Sequence, residues 1–557
     1  MKKFLLTFPL LVTFFLCTAV SASALENNVV KVGLRYGSSA LFSANLENAE
    51  GGGYTFGYYE DDRTFTPLGD TEERAISMTA AGDIYMTESG SYSREMPSGT
   101  FRYMGPWHVE LDGFSSYEKA RRAARDYDGW PAWIDGAFVV RTGCYDSRRE
   151  AEDAAAELGG YAQRSSDTGV LVTVTKTTEI LFEFDDHGGS DLGVEPIGWD
   201  DGPVTWFKGY KYRGGFSYPR TAGGDLSVIN YVDLEDYVKG VVPHEMSGSW
   251  PMEALKAQAV CARTFACRES KHLSAYGFDV CASTDCQVYN GVNGSNAATD
   301  QAVEETAGEC IWYDGEPIRY AVYHSSNGGA TEDAVNVWGT ETPYLRGKAD
   351  PYESLISIPN STYSVTYTAD ELTWILQQKG YSVGQVRDVY VSEYTPMGNV
   401  YKVTFLHDDG ELTVKGETCR TIFYSSTYGK SVRSMRFGIN GQGVPEASGG
   451  HYINGSGTVL PSLEGVSAIT GDGQLTALSG GDYYAVSASG TEKVAASSGN
   501  KTTSGRPSSR KRDEFTITGT GNGHNLGMSQ YGAKAMAENG YDHKDILTFY
   551  YEGVTIK

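Results

Sequence analysis

The chain has 557 residues, with 46 Lys and Arg against 71 Asp and Glu and a formal net charge of −25. That length exceeds one core, since domains run to roughly 100–200 residues, and the acidity excludes a nucleic-acid partner, whose phosphates need a basic face to release counterions. Hydrophobic residues make up 40%, enough for globular folding, and the 67 glycines and 38 tyrosines suit turn-rich, strand-rich structure as well as stacking on sugar rings.

Residues 1–24 read as a signal peptide. Lys2 and Lys3 precede an apolar run from Phe4 to Val20, and Ala22-Ser23-Ala24 supplies the small residues of a cleavage site. Its removal makes the balance 44 − 71 = −27. It leaves Cys144, Cys261, Cys267, Cys281, Cys286, Cys310 and Cys419, an odd number too dispersed for a disulfide scaffold. No later stretch stays apolar for the roughly 18 residues of a membrane helix, so the mature protein is expected outside the cytoplasm, secreted or in the cell wall, with no membrane span.

Residues 25–102 form a strand-rich N-terminal region: Val30-Lys31-Val32-Gly33-Leu34 alternates, and Gly51-Gly52-Gly53 marks a turn. Residues 103–177 carry a weak repeat at about thirty residues. Trp107–Phe114 is answered by Phe138–Tyr145, and each strand leads into an Ala-rich helix, Ser116–Asp126 and Ser147–Leu158, with Ala120/Ala124 and Ala151/Ala155 at i, i+4. The β-α-β-β-α-β pattern resembles the small peptidoglycan-binding SPOR module, and other ferredoxin-like folds share it. Residues 178–438 are mixed, with helices over Leu234–Leu273. Residues 439–512 form a Gly/Ser-rich excursion and linker, its cluster Arg506, Arg510, Lys511 and Arg512 read as solvated. Order resumes in residues 513–557 with the helix pair Ser529–Glu538 and His543–Tyr551, split by Gly540. The fold class is therefore α+β and multidomain.

The chemistry concentrates in Leu234–Met246 and the helix that follows Trp250-Pro251, whose Ala254, Ala257, Ala259, Ala262 and Ala266 permit close packing. Glu245 stands before that helix among Val241, Val242, Pro243 and Met246, where burial would raise its pKa and suit it to act as a general acid toward a glycosidic oxygen. The same spacing also fits a carboxylate that only caps backbone donors. An adjacent His324-Ser325 does not make a catalytic dyad, because neighbours on a strand face opposite ways.

These residues, with Asp285-Cys286-Gln287-Val288-Tyr289-Asn290-Gly291, His324-Ser325-Ser326-Asn327-Gly328-Gly329 followed by Val337-Trp338-Gly339 and Tyr344-Leu345, and Gly519–Ala533, resemble the stage II sporulation protein D family, which includes the amidase enhancers of bacterial cell walls. The resemblance covers about residues 205–557 and implies a SpoIID-type α+β catalytic domain in two parts, 178–438 and 513–557. It implies a peptidoglycan lytic transglycosylase that cleaves MurNAc–GlcNAc strands lacking stem peptides and leaves a 1,6-anhydro-MurNAc product. Glu245 matches the catalytic glutamate, and Arg263 matches an arginine that either orients Glu245 and substrate or ties its helix to a neighbouring loop. Gln258, Gln287, Tyr289, Ser325, Gly328, Gly329, His524, Ser529, Gln530 and Tyr531 are expected to bind substrate. Gly523-His524-Asn525 departs from the family's Gly-His-Gly, a change the turn can survive because Asn tolerates the left-handed conformation.

No cofactor is required, but zinc is an open option at Cys281 and Cys286, since some members bind it nearby through Cys and His. Here Asp285 rather than His precedes Cys286, and His272 lies nine residues before Cys281, so zinc, a disulfide and two inert thiols all fit. The expected partner is the glycan strand. The alternative is a non-catalytic, wall-binding activator whose partner is an N-acetylmuramoyl-L-alanine amidase. A purely structural surface protein would leave all four blocks unexplained.

Overall fold

A computed structural model describes residues 28–198, 202–221, 224–268, 271–445 and 512–557, with strand assignments alone inside 451–494. The expected signal peptide and most of the 439–512 linker lie outside the described residues. The chain opens with β1 (Val29–Arg35), β2 (Ser43–Asn48), β3 (Tyr54–Tyr59), β4 (Phe65–Thr71) and β5 (Ala75–Ala80), then a small sheet of β6 (Ile84–Thr87), β7 (Tyr92–Ser93) and β8 (Phe101–Met104).

The repeat folds as its pattern predicts: β9 (Trp107–Phe114), α1 (Tyr117–Asp126), β10 (Gly129–Ile134), β11 (Ala137–Tyr145), α2 (Arg148–Leu158) and β12 (Tyr161–Arg164). Ser116 and Ser147 cap the helices, and Glu150 completes a capping box on the second. Ala120, Ala124, Ala151 and Ala155 are buried against the sheet. The strands lie antiparallel in the order β12-β9-β11-β10.

This unit is not closed, contrary to a module bounded at 103–177. β13 (Val170–Val174) and β14 (Ile180–Asp185) extend its sheet: β14 pairs in parallel with β10, β13 pairs with β14 and β5, and β5 with β2. A buried ion cluster fastens the junction. Arg141 on β11 reaches Glu110 on β9 at 2.7 Å and Glu183 on β14 at 2.5 Å. Trp130 and Ser165 also donate to Glu183, at 3.1 and 2.8 Å.

The next strands are β15 (Gly193–Pro196), β16 (Thr205–Phe207), β17 (Tyr210–Tyr212), β18 (Gly215–Ser217), β19 (Val228–Asp233) and β20 (Val280–Cys281). β16 and β17 complete a ten-stranded sheet, and a second, seven-stranded sheet runs β20-β1-β19-β18-β15-β3-β4. The inner faces of the two sheets share one core that draws on residues from Val30 to Val303, with Phe56 stacked on Phe182 at 5.2 Å. The boundaries expected at 102/103 and 177/178 therefore do not separate bodies. β1 pairs residue by residue with β19, Val29 opposite Asp233 and Val32 opposite Asn230. A pairing across some two hundred residues leaves no local trace in composition.

β19 runs directly into α3 (Leu234–Glu245), which is followed by α4 (Met252–Ala266). Nearly every residue of α4 is buried. Its small residues face α3, the helix Ala297–Glu305 and the C-terminal helices Gln530–Glu538 and His543–Tyr550. A further unit has its own core. In it the helix Ala369–Gln378 packs on the antiparallel strands Val386–Tyr394, Val400–His407 and Gly410–Lys415, and Glu514–Thr520 pairs with both Thr362–Thr368 and Arg436–Ile439. The 439–512 excursion thus leaves and rejoins neighbouring strands, where a long loop costs little beyond its closure entropy.

Candidate functional site

Glu245 is the last residue of α3, not a residue leading into α4. A carboxylate there is opposed by the helix dipole rather than welcomed as a cap, so the capping alternative does not apply. Glu245 lines a cavity of about 390 Å³ with His244, Gln287, Val288, Tyr323 and His524. Its carboxyl is held by the Tyr323 hydroxyl, the Gln530 amide and the Val288 backbone N–H. Burial is the largest effect on it and raises its pKa above the ordinary glutamate value despite those three bonds, each of which favours the charged form.

A chain of hydrogen bonds fixes the orientation. Tyr237, two turns back on α3, donates to Gln287 Oε1 at 3.0 Å, and Gln287 Nε2 donates to the Tyr323 hydroxyl at 3.1 Å. Gln530 Nε2 also reaches the Glu245 carbonyl at 3.2 Å and Gln258 Oε1 at 3.3 Å. Gln287 and Gln530 thus stand beside Glu245, with Gln258 buried one contact behind them. Tyr323 and Tyr237 were not singled out from the sequence. Tyr323 immediately precedes the His324-Ser325 block, which is the only local signal it carries.

Three expectations are corrected. Arg263 is fully buried and does not orient Glu245: its Nε and Nη2 reach Glu235 at 2.8 and 2.6 Å, and Nη1 donates to the Glu309 carbonyl at 3.0 Å. It is the tie from its helix to a neighbouring loop. Tyr289 is a core ring rather than a sugar platform, its hydroxyl donating to Asn230 at 2.9 Å and its ring packed on Tyr237. Ser529 is fully buried as the cap of the helix Gln530–Glu538; its hydroxyl accepts from Gly532 N and donates to Glu353 at 2.5 Å.

The Ser325–Gly329 loop lies beside this cap. Its Asn327 and Gly328 backbone N–H groups and the Ser326 hydroxyl donate to the Glu353 carboxyl at 2.6, 3.0 and 2.7 Å. The Ser325 carbonyl accepts from Tyr531 N at 3.1 Å, and the Tyr531 ring rests on Trp250. Gly328 has φ +69°, and a Cβ there would lie 2.5 Å from the Thr520 hydroxyl oxygen. Close packing within the protein accounts for that glycine. Asn525 has φ +64° and donates to the Asn327 carbonyl at 2.9 Å, so the expected left-handed turn is present. Burial, with the Arg420 charge adding to it, pushes His524 down to about 4, leaving the ring neutral near pH 7.

At the edge of the same cavity, donor atoms of His272, Cys281, Asp285 and Cys286 all lie within 4.8 Å of one another. The two thiols are hydrogen-bonded and unlinked, and that bond favours the Cys281 thiolate. Asp285 meets His272 at 3.2 Å and Lys271 at 2.9 Å. The spacing predicted from sequence reached the cysteines; His272 and Asp285 join them through the fold.

Comparison with known proteins places this part of the chain in a family. The family model described as Stage II sporulation protein matches residues 222–313, which contain Glu245, Arg263 and both cysteines. An uncharacterized protein of Brachyspira hyodysenteriae is 32% identical over 59% of this chain and 68% of its own length. The amidase enhancer of Bacillus subtilis is 30% identical over 57% of this chain but only 40% of its own length. Stage II sporulation protein D of Bacillus subtilis is 27% identical over 70% of this chain and 92% of its own. The chain belongs to the family of stage II sporulation protein D and the amidase enhancers.

Proposed function

We propose that the protein acts on the bacterial cell wall as a lytic transglycosylase, cleaving peptidoglycan glycan strands that lack stem peptides. The observation that carries this reading is Glu245: one carboxyl in a cavity, oriented through Tyr323 and inclined by burial to keep its proton. Most glycosidases place two carboxyl groups about the scissile bond. Asp285, the other carboxyl lining this cavity among the described residues, is tied to Lys271 and His272. One carboxyl suffices if the muramic acid C6 hydroxyl is the nucleophile. Glu245 gives its proton to the glycosidic oxygen as the C1–O bond breaks. The carboxylate then takes the C6 hydroxyl proton as that oxygen closes on C1. The products are a 1,6-anhydro end and a new hydroxyl end, with no water consumed and Glu245 reprotonated.

The test is purified protein on denuded glycan strands, with mass spectrometry for anhydromuramyl ends. Glu245→Gln should lower the rate by at least about a thousandfold while the fold persists; full activity in that variant, or reducing muramic ends from the parent protein, would overturn the mechanism. The amidase-enhancer relative supports a second reading, a non-catalytic activator. On that reading Glu245→Gln would still stimulate an amidase.

We further propose that His272, Cys281, Asp285 and Cys286 hold zinc. In a tetrahedron with Zn–S about 2.3 Å and Zn–N about 2.0 Å the ligand atoms stand roughly 3.3–3.8 Å apart, compatible with the observed cluster. A closed site of this kind supplies structural cross-linking. It would hold the loop that presents Gln287 and the Val288 N–H to Glu245. About one equivalent of zinc is expected in purified protein, and less than about a tenth would reject the site.

A further inference from the structure

A second cavity, of about 570 Å³, lies between the short helix Ala334–Trp338 and the strand pair Val400–His407 and Gly410–Lys415. Trp338, Tyr381, Tyr401, Asn336 and Lys415 line it. Trp338 is 37% exposed, unusual for an indole, yet it is held in place. Its Nε1–H points to Glu417 at 3.3 Å, and its ring leans on Tyr320 and His524 at centroid distances of 5.5 and 5.9 Å. His524 is also part of the Glu245 cavity wall. The two cavities therefore adjoin across one aromatic step.

We propose that this second cavity is a distal glycan subsite, in which Trp338 stacks on a sugar ring and Lys415 pairs with the lactyl carboxylate of a muramic acid; the proposal rests on the glycan reading given above. Rigid aromatic rings flanked by amide and hydroxyl groups suit a sugar, which has an apolar face and a hydroxylated rim. Lys415 is exposed, and among the described residues no carboxylate pairs with it. A strand stripped of stem peptides ends each lactyl group in a free carboxylate, so a cation facing the cavity matches the denuded form. A strand lying from Glu245 past His524 to Trp338 would engage this subsite without touching the reacting bond.

The experiment is calorimetric binding by the full chain in a Glu245→Gln background, which keeps strands intact. The two probes are denuded glycan strands and an N-acetylglucosamine hexamer, which lacks lactyl groups. Trp338→Ala should weaken both by about fivefold to tenfold, with Trp338→Phe recovering much of the loss. Lys415→Gln, a surface change that the fold tolerates, should weaken only the denuded strand, by about threefold. If the background protein binds both probes and Trp338→Ala binds them equally well, the subsite is overturned while the glycan reading stands. Equal loss for both probes in Lys415→Gln would overturn the carboxylate contact, and binding of neither probe by the background protein would overturn both readings.

Discussion

Burial and three hydrogen bonds act in opposite directions on the Glu245 carboxyl, and burial wins. A proton donor whose pKa is raised loses activity only as pH climbs through that higher value, so the basic limb of kcat/KM should lie above the ordinary carboxylate range of about 4.3. Tyr323→Phe removes a bond that favours the charged form. The limb should then move further up, with a smaller fall in kcat than in Glu245→Gln; a downward shift would contradict this placement of the hydroxyl. Arg263→Met tests the opposite assignment. It should cost about 2–3 kcal/mol in denaturant unfolding, less than a fully buried pair because Glu235 keeps 30% side-chain exposure, and leave the pH limb where it was. The helix, its small residues and Glu245 were legible in the sequence. What Arg263, Tyr289 and Ser529 do was not, because a motif marks which residues matter without saying which of them face a cavity.

At the level of elements, the caps and the i, i+4 alanines foretold α1 and α2 closely, since both signals act within a turn or two. The sheet they join was not foretold. Arg141 bridges β9, β11 and β14, and although burial alone would raise the pKa of Glu183, Arg141 with His108, Trp130 and Ser165 holds it below the ordinary value. A carboxyl so depressed contributes stability above its unfolded pKa and loses that contribution as pH falls through the folded value. Arg141→Met should destabilise the protein by about 3–5 kcal/mol at pH 7. The sign should then reverse: with the cation gone, Glu183 is favoured neutral, and the variant should gain stability between pH 7 and 5 in thermal melts where the parent does not.

For the whole molecule, β1 carries a consequence for truncation. It fills the place between β20 and β19 in the sheet that leads into α3, so a chain starting at residue 178 should lose the unfolding transition of the shared core and with it any Glu245 activity, keeping at most the transition of the unit that has its own core. A folded, active chain of that length would refute the shared core. Net charge acts at the same scale. A protein at −25 gains no long-range attraction to an anionic wall, and screening removes most of what acts beyond about 10 Å at 0.1 M salt. Affinity for denuded glycan should therefore vary little between low and moderate salt, by no more than one ion pair would lose.

The sequence by itself determined the family, the glutamate, the repeat with its capped helices and the left-handed turn at Asn525. Each of these is set by neighbours within a few residues or by a motif read in order. Only the tertiary structure decided that residues 28–185 share a core with α3, that His272 and Asp285 close on the two cysteines, that Tyr323 holds Glu245, and that Trp338 stands beside His524. Those facts rest on strand register and on helix packing between segments far apart in the chain. Hydrophobic periodicity says which face of an element is buried and is silent on what buries it.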